Sequence, residues 1–118
     1  MVGFCWGGKY AIRAGLECKI DGAKVPLVDA AVGLHPSHLS IPGDVETLVV
    51  PVSYGWGLED IQVSIEQKAK VEEIHEKAKK SGRKVPEMKH KVYKPGRHGF
   101  AVRGNPDDPL ERACLEDK

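Results

Sequence analysis

The sequence has few cysteines, and no two of them are close together. Cys5, Cys18 and Cys114 are the only three, and no C-x-x-C pair occurs. Neither a zinc site of the knuckle type nor a dithiol redox motif is therefore indicated. An odd number of widely spaced cysteines favours reduced thiols, which are typical of a cytosolic protein.

An excess of charge and long hydrophobic runs are also absent. Lys and Arg number 18 against 17 Asp and Glu, so the formal net charge is +1 and gives no electrostatic reason to expect a nucleic-acid partner. No run approaches the roughly 18 apolar residues that a membrane-spanning helix needs. The N terminus has neither the basic start nor the long apolar stretch of a secretory signal. We therefore expect a cytoplasmic protein without a membrane partner.

The composition that remains is typical of a folded domain, because 41% of the residues are hydrophobic and 30% are charged. Predicted strands lie within 1–4, 25–36, 45–55 and 87–93, and predicted helices within 7–17, 64–81 and 107–117. Pro51 predicts a bend or a break in strand pairing. The alternation predicts an α/β fold, with a mostly parallel sheet of about four strands and flanking helices.

The clearest helix is predicted for residues 64–81. Val71, Ile74 and Ala78 fall on one stripe at helical spacing. Ser64 and Gln67 match a capping box at its start. The segment 94–109, by contrast, is rich in Gly and Pro and predicts a loop.

The first residues form the pattern Gly3-Phe4-Cys5-Trp6-Gly7. A G-x-nucleophile-x-G pattern between a strand and a helix is typical of a nucleophile elbow, in which small residues flank a sharp turn. The dipole of the following helix would lower the thiol pKa of Cys5, and the backbone N–H of Trp6 would be one oxyanion donor. Alternatively, Cys5 is a small buried hydrophobic residue beside a glycine-rich turn.

Partners for Cys5 follow in the chain order nucleophile, acid, histidine. Glu59 and Asp60 follow the apolar strand and turn at 50–58, so either could supply the acid. His98 follows a later strand and a Pro-Gly turn. Cys5, Asp60 and His98 therefore match the pattern of a Cys-His-Asp triad.

The other histidines fit this chemistry less well. His35 and His38 form an H-P-S-H sequence, but Pro36 excludes a helix there and no third ligand is near in sequence, so no metal site is predicted. His75 lies within the charged helix and is expected to be solvated. His90 lies in a strand pattern, where a structural role is expected.

Three segments together resemble the dienelactone hydrolase family of the α/β-hydrolase superfold, and its fungal-type branch in particular. These segments are GFCWGGKYA at 3–11, VPVSYGWGLED at 50–60 and PGRHGFAVRG at 95–104. The resemblance implies a hydrolase that opens enol-lactones or cleaves other small-molecule esters through a Cys-His-Asp triad. It implies neither a metal nor an organic cofactor.

The resemblance also implies roles for individual residues. Cys5 would attack the carbonyl carbon, His98 would carry protons, and Asp60, rather than Glu59, would orient His98. The family holds the substrate carboxylate with an arginine after the His-Gly-Phe-Ala run, which points to Arg103, although Val102 intervenes here. The alternative for Arg103 is a solvated arginine in the loop. Tyr54 and Trp56 are candidates to line the pocket near the acid, with packing in the core as the default alternative for both.

The resemblance further implies that residues 1–118 are the C-terminal part of a single domain that begins at the nucleophile elbow. In the family, the preceding half supplies the first strands, the second oxyanion donor and an activating glutamate. We therefore expect this chain alone to be weakly active or inactive, with a homo-oligomer as one way to complete the sheet. Two alternatives are a non-catalytic remnant or interaction module that folds with a partner, and a redox sensor built on Cys5.

Overall fold

The computed structural model describes residues 1–20 and 23–117. Within them, the elements occur in the order β1 (Val2–Phe4), α1 (Trp6–Ala14), β2 (Cys18–Ile20), β3 (Ala23–Val25), β4 (Ala31–Leu34), β5 (Val52–Gly57), α2 (Ile65–Lys80), β6 (Met88–Tyr93), α3 (Phe100–Arg103) and α4 (Pro109–Glu116). No helix among these residues combines the length and apolar character that a membrane crossing requires.

Four of the strands form the main sheet in the order β1-β4-β5-β6. Every neighbouring pair in this sheet is parallel. All four strands therefore end at one edge of the sheet, and the loops that follow them meet there. This arrangement confirms the predicted α/β fold with a parallel sheet of four strands and flanking helices.

The strand boundaries differ from the prediction on both sides of Pro51. The predicted strand 45–55 begins only at Val52, after Pro51, because proline has no N–H to donate to a neighbouring strand. The Val52 N–H donates to Glu87 O at 3.0 Å, and Pro51 O accepts from the Ala31 N–H at 3.0 Å. The small antiparallel pair β2–β3 was not predicted and lies outside the main sheet.

One face of the main sheet carries the larger core. Side chains two positions apart in a strand share a face, and on this face Val52, Tyr54 and Trp56 pack with Ile12 of α1 and Val71 of α2. All five are at most 3% exposed. The helices α1 and α2 therefore hold the strands in position behind the edge at which they end.

The opposite face is covered only in part. Leu34 and Tyr93 pack there with Phe100, Ala101 and Cys114 from α3 and α4. Val2 and Phe4 are 58% and 38% exposed. Among the described residues, β1 pairs only with β4, so its outer edge faces solvent.

Helix α2 begins where the sequence predicts. Ser64 is its N-cap, and a capping box with Gln67 is present. The expectation that His75 is solvated is wrong, since His75 is only 8% exposed. His75 lies four positions after Val71, and residues at this spacing share a helix face, so His75 faces the sheet. The predicted loop 94–109 also contains the short helix α3.

Candidate active site

Cys5 stands at the turn between β1 and α1. Its backbone angles are φ 54° and ψ −124°, in a region that non-glycine residues rarely occupy. A Cβ on Gly3 would lie 2.0 Å from the carbonyl oxygen of Gly7, so position 3 admits only glycine without movement. A Cβ on Gly7 would meet nothing within 4 Å, so the requirement for a small residue holds on the strand side alone.

Three side chains from separate loops form a hydrogen-bonded row at this edge. Cys5 Sγ lies 2.8 Å from His98 Nε2. His98 Nδ1 lies 2.9 Å from Asp60 Oδ2 and 3.0 Å from Asp60 Oδ1. Since a carboxylate only accepts, the His98 Nδ1–H donates to Asp60, and Nε2 is directed at the sulfur. The structure thus brings the three residues predicted as a triad together, with His98 in contact with both Cys5 and Asp60.

Asp60 is held from a second side. It follows β5, its side chain is 2% exposed, and Oδ1 accepts the Gln62 N–H at 2.8 Å. The rival acid, Glu59, instead pairs at the surface with Arg97. The acid in contact with His98 is therefore Asp60.

The electrostatics of the row favour charge separation. Burial raises the thiol pKa of Cys5, but hydrogen bonds from Ser37, His98 and the Trp6 N–H together hold the pKa below its usual value. Burial lowers the pKa of His98, but its bonds to Cys5 and Asp60 outweigh this and raise it. Opposite shifts of the two pKa values move the pair toward thiolate and imidazolium.

Two residues that sequence reasoning did not assign also touch Cys5. Ser37 Oγ lies 3.3 Å from Cys5 Sγ, and the Cys5 N–H donates to His35 Nδ1 at 3.2 Å. Both belong to the H-P-S sequence that follows β4, and the ends of parallel strands share an edge. Their position after a predicted strand was the signal that could have indicated them.

His35 is fully buried, and this burial is the main reason why its pKa is lowered to about 4. It is therefore neutral at pH 7, and since Nδ1 accepts the Cys5 N–H, its hydrogen is on Nε2. Within the described part of the chain, Nε2 has no hydrogen-bond partner. Atoms that could ligate a metal ion, one each from Cys5, His35 and His98, all lie within 4.8 Å of one another, a grouping that the sequence argument did not consider.

The predicted substrate-contacting aromatics lie elsewhere. Tyr54 and Trp56 are 1% and 2% exposed and stack on each other in the core with a centroid distance of 5.1 Å. Trp56 Nε1 donates to His90 Nδ1 at 3.0 Å, and Tyr54 Oη lies 3.4 Å from His75 Nε2. Their burial is the core packing that was the alternative for both residues, because their strand face is the one that the helices cover. His90 is part of this packing, as predicted.

The remaining predicted residues surround the row. The Trp6 N–H is near the Cys5 sulfur, whereas its indole is 63% exposed and packs on Tyr10. Arg103 lies against Gly99 and lines, with His98, a cavity of about 180 Å³ whose lining does not include Cys5.

The other two thiols bond elsewhere, Cys18 to Val25 O and Cys114 to Lys94 O, and all three cysteines are free.

A parallel sheet with a nucleophile-type turn after one strand, and an acid and a histidine after later strands, defines the α/β-hydrolase fold class. The family model of the dienelactone hydrolase family matches residues 1–117. The chain therefore belongs to the dienelactone hydrolase family, as the sequence motifs predict.

Solved structures share this fold. A protein assigned as a dienelactone hydrolase from Klebsiella pneumoniae is similar with a TM-score of 0.68 and 20% identity over 98% of this chain and 46% of its own. Esterase 2 of Thermogutta terrifontis, phosphonylated by cyclosarin, has a TM-score of 0.59 and 22% identity over 98% and 50%. An acylaminoacyl peptidase of Pyrococcus horikoshii has a TM-score of 0.60 and 16% identity over 99% and 23%.

The chain thus spans about half the length of the first two solved structures, 46% and 50%. No curated protein sequence is significantly similar to it.

Proposed function

We propose that this chain carries the catalytic triad of a hydrolase that cleaves lactone or ester bonds. Cys5 is the nucleophile, His98 the general base and acid, and Asp60 the residue that orients His98. The observation that carries the proposal is the row from Cys5 Sγ through His98 to Asp60, with distances of 2.8 and 2.9 Å.

In the proposed reaction, the Cys5 thiolate attacks the substrate carbonyl carbon. The carbonyl oxygen becomes an oxyanion, which the Trp6 N–H stabilises as one donor. When the C–O bond breaks, the leaving oxygen takes the proton from His98 Nε2, and an acyl-thioester remains on Cys5. His98 then takes a proton from water, the resulting hydroxide attacks the thioester, and the C–S bond breaks to release the acid and the thiolate.

The substrate class follows from the family and from the named neighbours. We propose a small-molecule lactone or ester, since one solved neighbour is assigned as a dienelactone hydrolase and another is an esterase. Arg103, one of the residues that line the His98 cavity, is the candidate for binding a substrate carboxylate. No step in the proposed reaction uses a metal or an organic cofactor.

We further propose that residues 1–118 form the C-terminal part of one hydrolase domain and are weakly active or inactive alone. Among the described residues, the donor found beside the sulfur for an oxyanion is the Trp6 N–H. Loss of one oxyanion donor typically costs about 2.7–4 kcal/mol of transition-state stabilisation. The exposed side chains of Val2 and Phe4 and the solvent-facing edge of β1 support the view that other chain segments complete the sheet.

The same exposed edge supports an alternative, a non-catalytic module that folds with a partner or as a homo-oligomer. Parallel strand edges present unpaired N–H and C=O groups that can pair with another chain. Light scattering of the purified chain separates a monomer from a defined oligomer. A stable oligomer without any reactive Cys5 would favour the alternative.

Hydrolysis of p-nitrophenyl acetate tests the proposed activity. We expect a slow release of p-nitrophenol above background that Cys5→Ala abolishes and that Cys18→Ala leaves unchanged. Equal release by the wild type and Cys5→Ala, together with no acetylation of Cys5, would refute the nucleophilic role. A fast, fully developed hydrolysis that Cys5→Ala abolishes would refute the proposal that this chain alone is weak.

A further inference from the structure

The H-P-S turn after β4 holds the nucleophile at three points. The Cys5 N–H donates to His35 Nδ1 at 3.2 Å, and the Ser37 N–H donates to Cys5 O at 3.1 Å. The third contact is between the side chains, with Ser37 Oγ at 3.3 Å from Cys5 Sγ. The bonds made by the Cys5 N–H and by the Ser37 N–H fix the position of the Ser37 hydroxyl relative to the sulfur.

The direction of the side-chain hydrogen bond follows from the protons around the sulfur. His98 Nδ1–H is engaged by Asp60, so a proton that leaves Cys5 resides on His98 Nε2. The resulting thiolate has no hydrogen to donate and must accept from both neighbours. Ser37 is only 3% exposed, and within residues 1–20 and 23–117 its hydroxyl has Cys5 Sγ as its side-chain hydrogen-bond partner.

We infer that Ser37 is a further catalytic residue. Its hydroxyl donates a hydrogen bond to the Cys5 thiolate, which accepts a second hydrogen bond from His98 Nε2–H. This inference rests on the proposed function. A hydrogen bond to a charged group is stronger than one between neutral groups, so the bond stabilises the thiolate over the thiol.

The effect of this bond differs between acylation of Cys5 and deacylation of the thioester. The bond to Ser37 weakens when the sulfur attacks a carbonyl and loses its charge. It strengthens when the C–S bond of the thioester breaks and the charge returns. Ser37 therefore makes the sulfur a better leaving group in deacylation, while it slightly restrains the attack, and it forms no covalent bond itself.

A test of this inference by pH dependence must account for the titratable and charged groups near Cys5. His98 and, through it, Asp60 face the sulfur from the loops after β6 and β5. His35 faces it from the loop after β4, and with a pKa of about 4, caused first by burial, it stays neutral above pH 5. The positive charge of Arg103, from α3, also lowers the pKa of His35. Above pH 5 the titration of the thiol is therefore coupled chiefly to His98.

The rate of alkylation by iodoacetamide, followed for each cysteine by peptide mass spectrometry between pH 5 and 9.5, tests the inference. Ser37→Ala removes the donor and leaves the backbone contacts. We expect the apparent pKa of Cys5 to rise by about one unit. Because nucleophilicity rises with pKa, the rate at low pH falls about threefold while the plateau at high pH rises about threefold, so the two profiles cross.

Three comparisons make the result decisive. Ser37→Thr keeps a hydroxyl and should retain the wild-type profile, and Ser40→Ala removes an exposed serine nearby and should change nothing. Cys18 in the same digests should keep its profile in every variant. An unchanged Cys5 profile in Ser37→Ala, or a fall by the same factor at every pH, would overturn the inference.

The outcome is distinct from that of the proposed function, because alkylation requires no ester substrate. Failure of Cys5 to become acylated would end the hydrolase proposal. A Ser37→Ala profile without a crossing would end only the assignment of Ser37.

Discussion

His98 Nδ1 lies 2.9 Å from Asp60 Oδ2, although 38 positions separate the two residues in the chain. The contact exists because β5 and β6 are parallel neighbours, so the loops that follow them lie side by side. Asp60 is buried and His98 largely so, which leaves the imidazole one orientation, with Nε2 toward Cys5.

Asp60→Asn tests the role of this contact. An amide keeps the shape but lacks the charge and can donate to Nδ1, which would place the imidazole hydrogen on the wrong nitrogen. We expect the acylation rate of Cys5 to fall on the order of 10³-fold or more, by analogy with other triads. Glu59→Gln is the matched control, because Glu59 pairs with Arg97 at the surface and should leave the rate unchanged. A larger loss from Glu59→Gln would reverse the assignment of the acid.

The elbow gives a second prediction, which separates its two flanking glycines. Gly3→Ala places a Cβ against the Gly7 carbonyl, whereas Gly7→Ala places one in open space. We expect Gly3→Ala to lower the free energy of unfolding by about 3 kcal/mol, at the upper end for overpacking, because the clash is with backbone. Gly7→Ala should be neutral or slightly stabilising. Urea unfolding of both variants measures this, and equal stabilities would contradict the elbow geometry.

The two tryptophans give a third prediction. Trp56 is 2% exposed and stacked on Tyr54, while Trp6 is 63% exposed. We expect Trp56→Ala to lower the free energy of unfolding by about 3–5 kcal/mol. Trp6→Ala should change it by less than about 0.5 kcal/mol. Thermal unfolding followed by circular dichroism distinguishes them. A stable Trp56→Ala variant with altered substrate preference would restore the sequence-based expectation that Trp56 contacts substrate.

Two histidines, the buried His75 and the half-buried His90, give a fourth prediction, on the pH dependence of stability. Burial is the first cause that lowers the pKa of His75, and it lowers that of His90 to about 4. Near pH 5 the unfolded chain therefore binds protons that the folded chain does not, so stability rises with pH there. We expect the urea midpoint to fall steadily from about pH 6.5, the ordinary histidine pKa, toward pH 4.

A variant isolates the contribution of His90 to that slope. His90→Gln retains an acceptor for Trp56 Nε1 but does not titrate, so its midpoint should depend less on pH. His38→Gln changes an exposed histidine and should keep the wild-type slope. A midpoint that stays constant between pH 6.5 and 4.5 in the wild type would contradict the burial argument.

The sheet and the row could be predicted because both follow from order along the chain. Alternating strand and helix patterns give a parallel sheet, and parallel strands bring the residues after them to one edge. Cys5, Asp60 and His98 each follow a strand, so their convergence required no knowledge of side-chain packing.

Sequence reasoning could not decide which face of an element a residue occupies, because tertiary packing determines this. Tyr54 and Trp56 share a strand face, and only the positions of α1 and α2 determine that this face is buried. His75 follows the spacing of Val71 but is surrounded in sequence by charges, which masked its inward position. Ser37 and His35 were not assigned to the site because the triad pattern gives no role to the residues after β4, although they lie at the same sheet edge as Cys5.

The most direct test of the account is to locate the acetyl group after brief treatment with p-nitrophenyl acetate, by peptide mass spectrometry of the wild type and of His98→Ala. Slow deacylation favours accumulation of the thioester even in a weak catalyst. The account predicts acetylation concentrated on Cys5 and lost in His98→Ala. Acetyl groups spread evenly over Cys5, Cys18 and surface lysines, with no effect of His98→Ala, would contradict it.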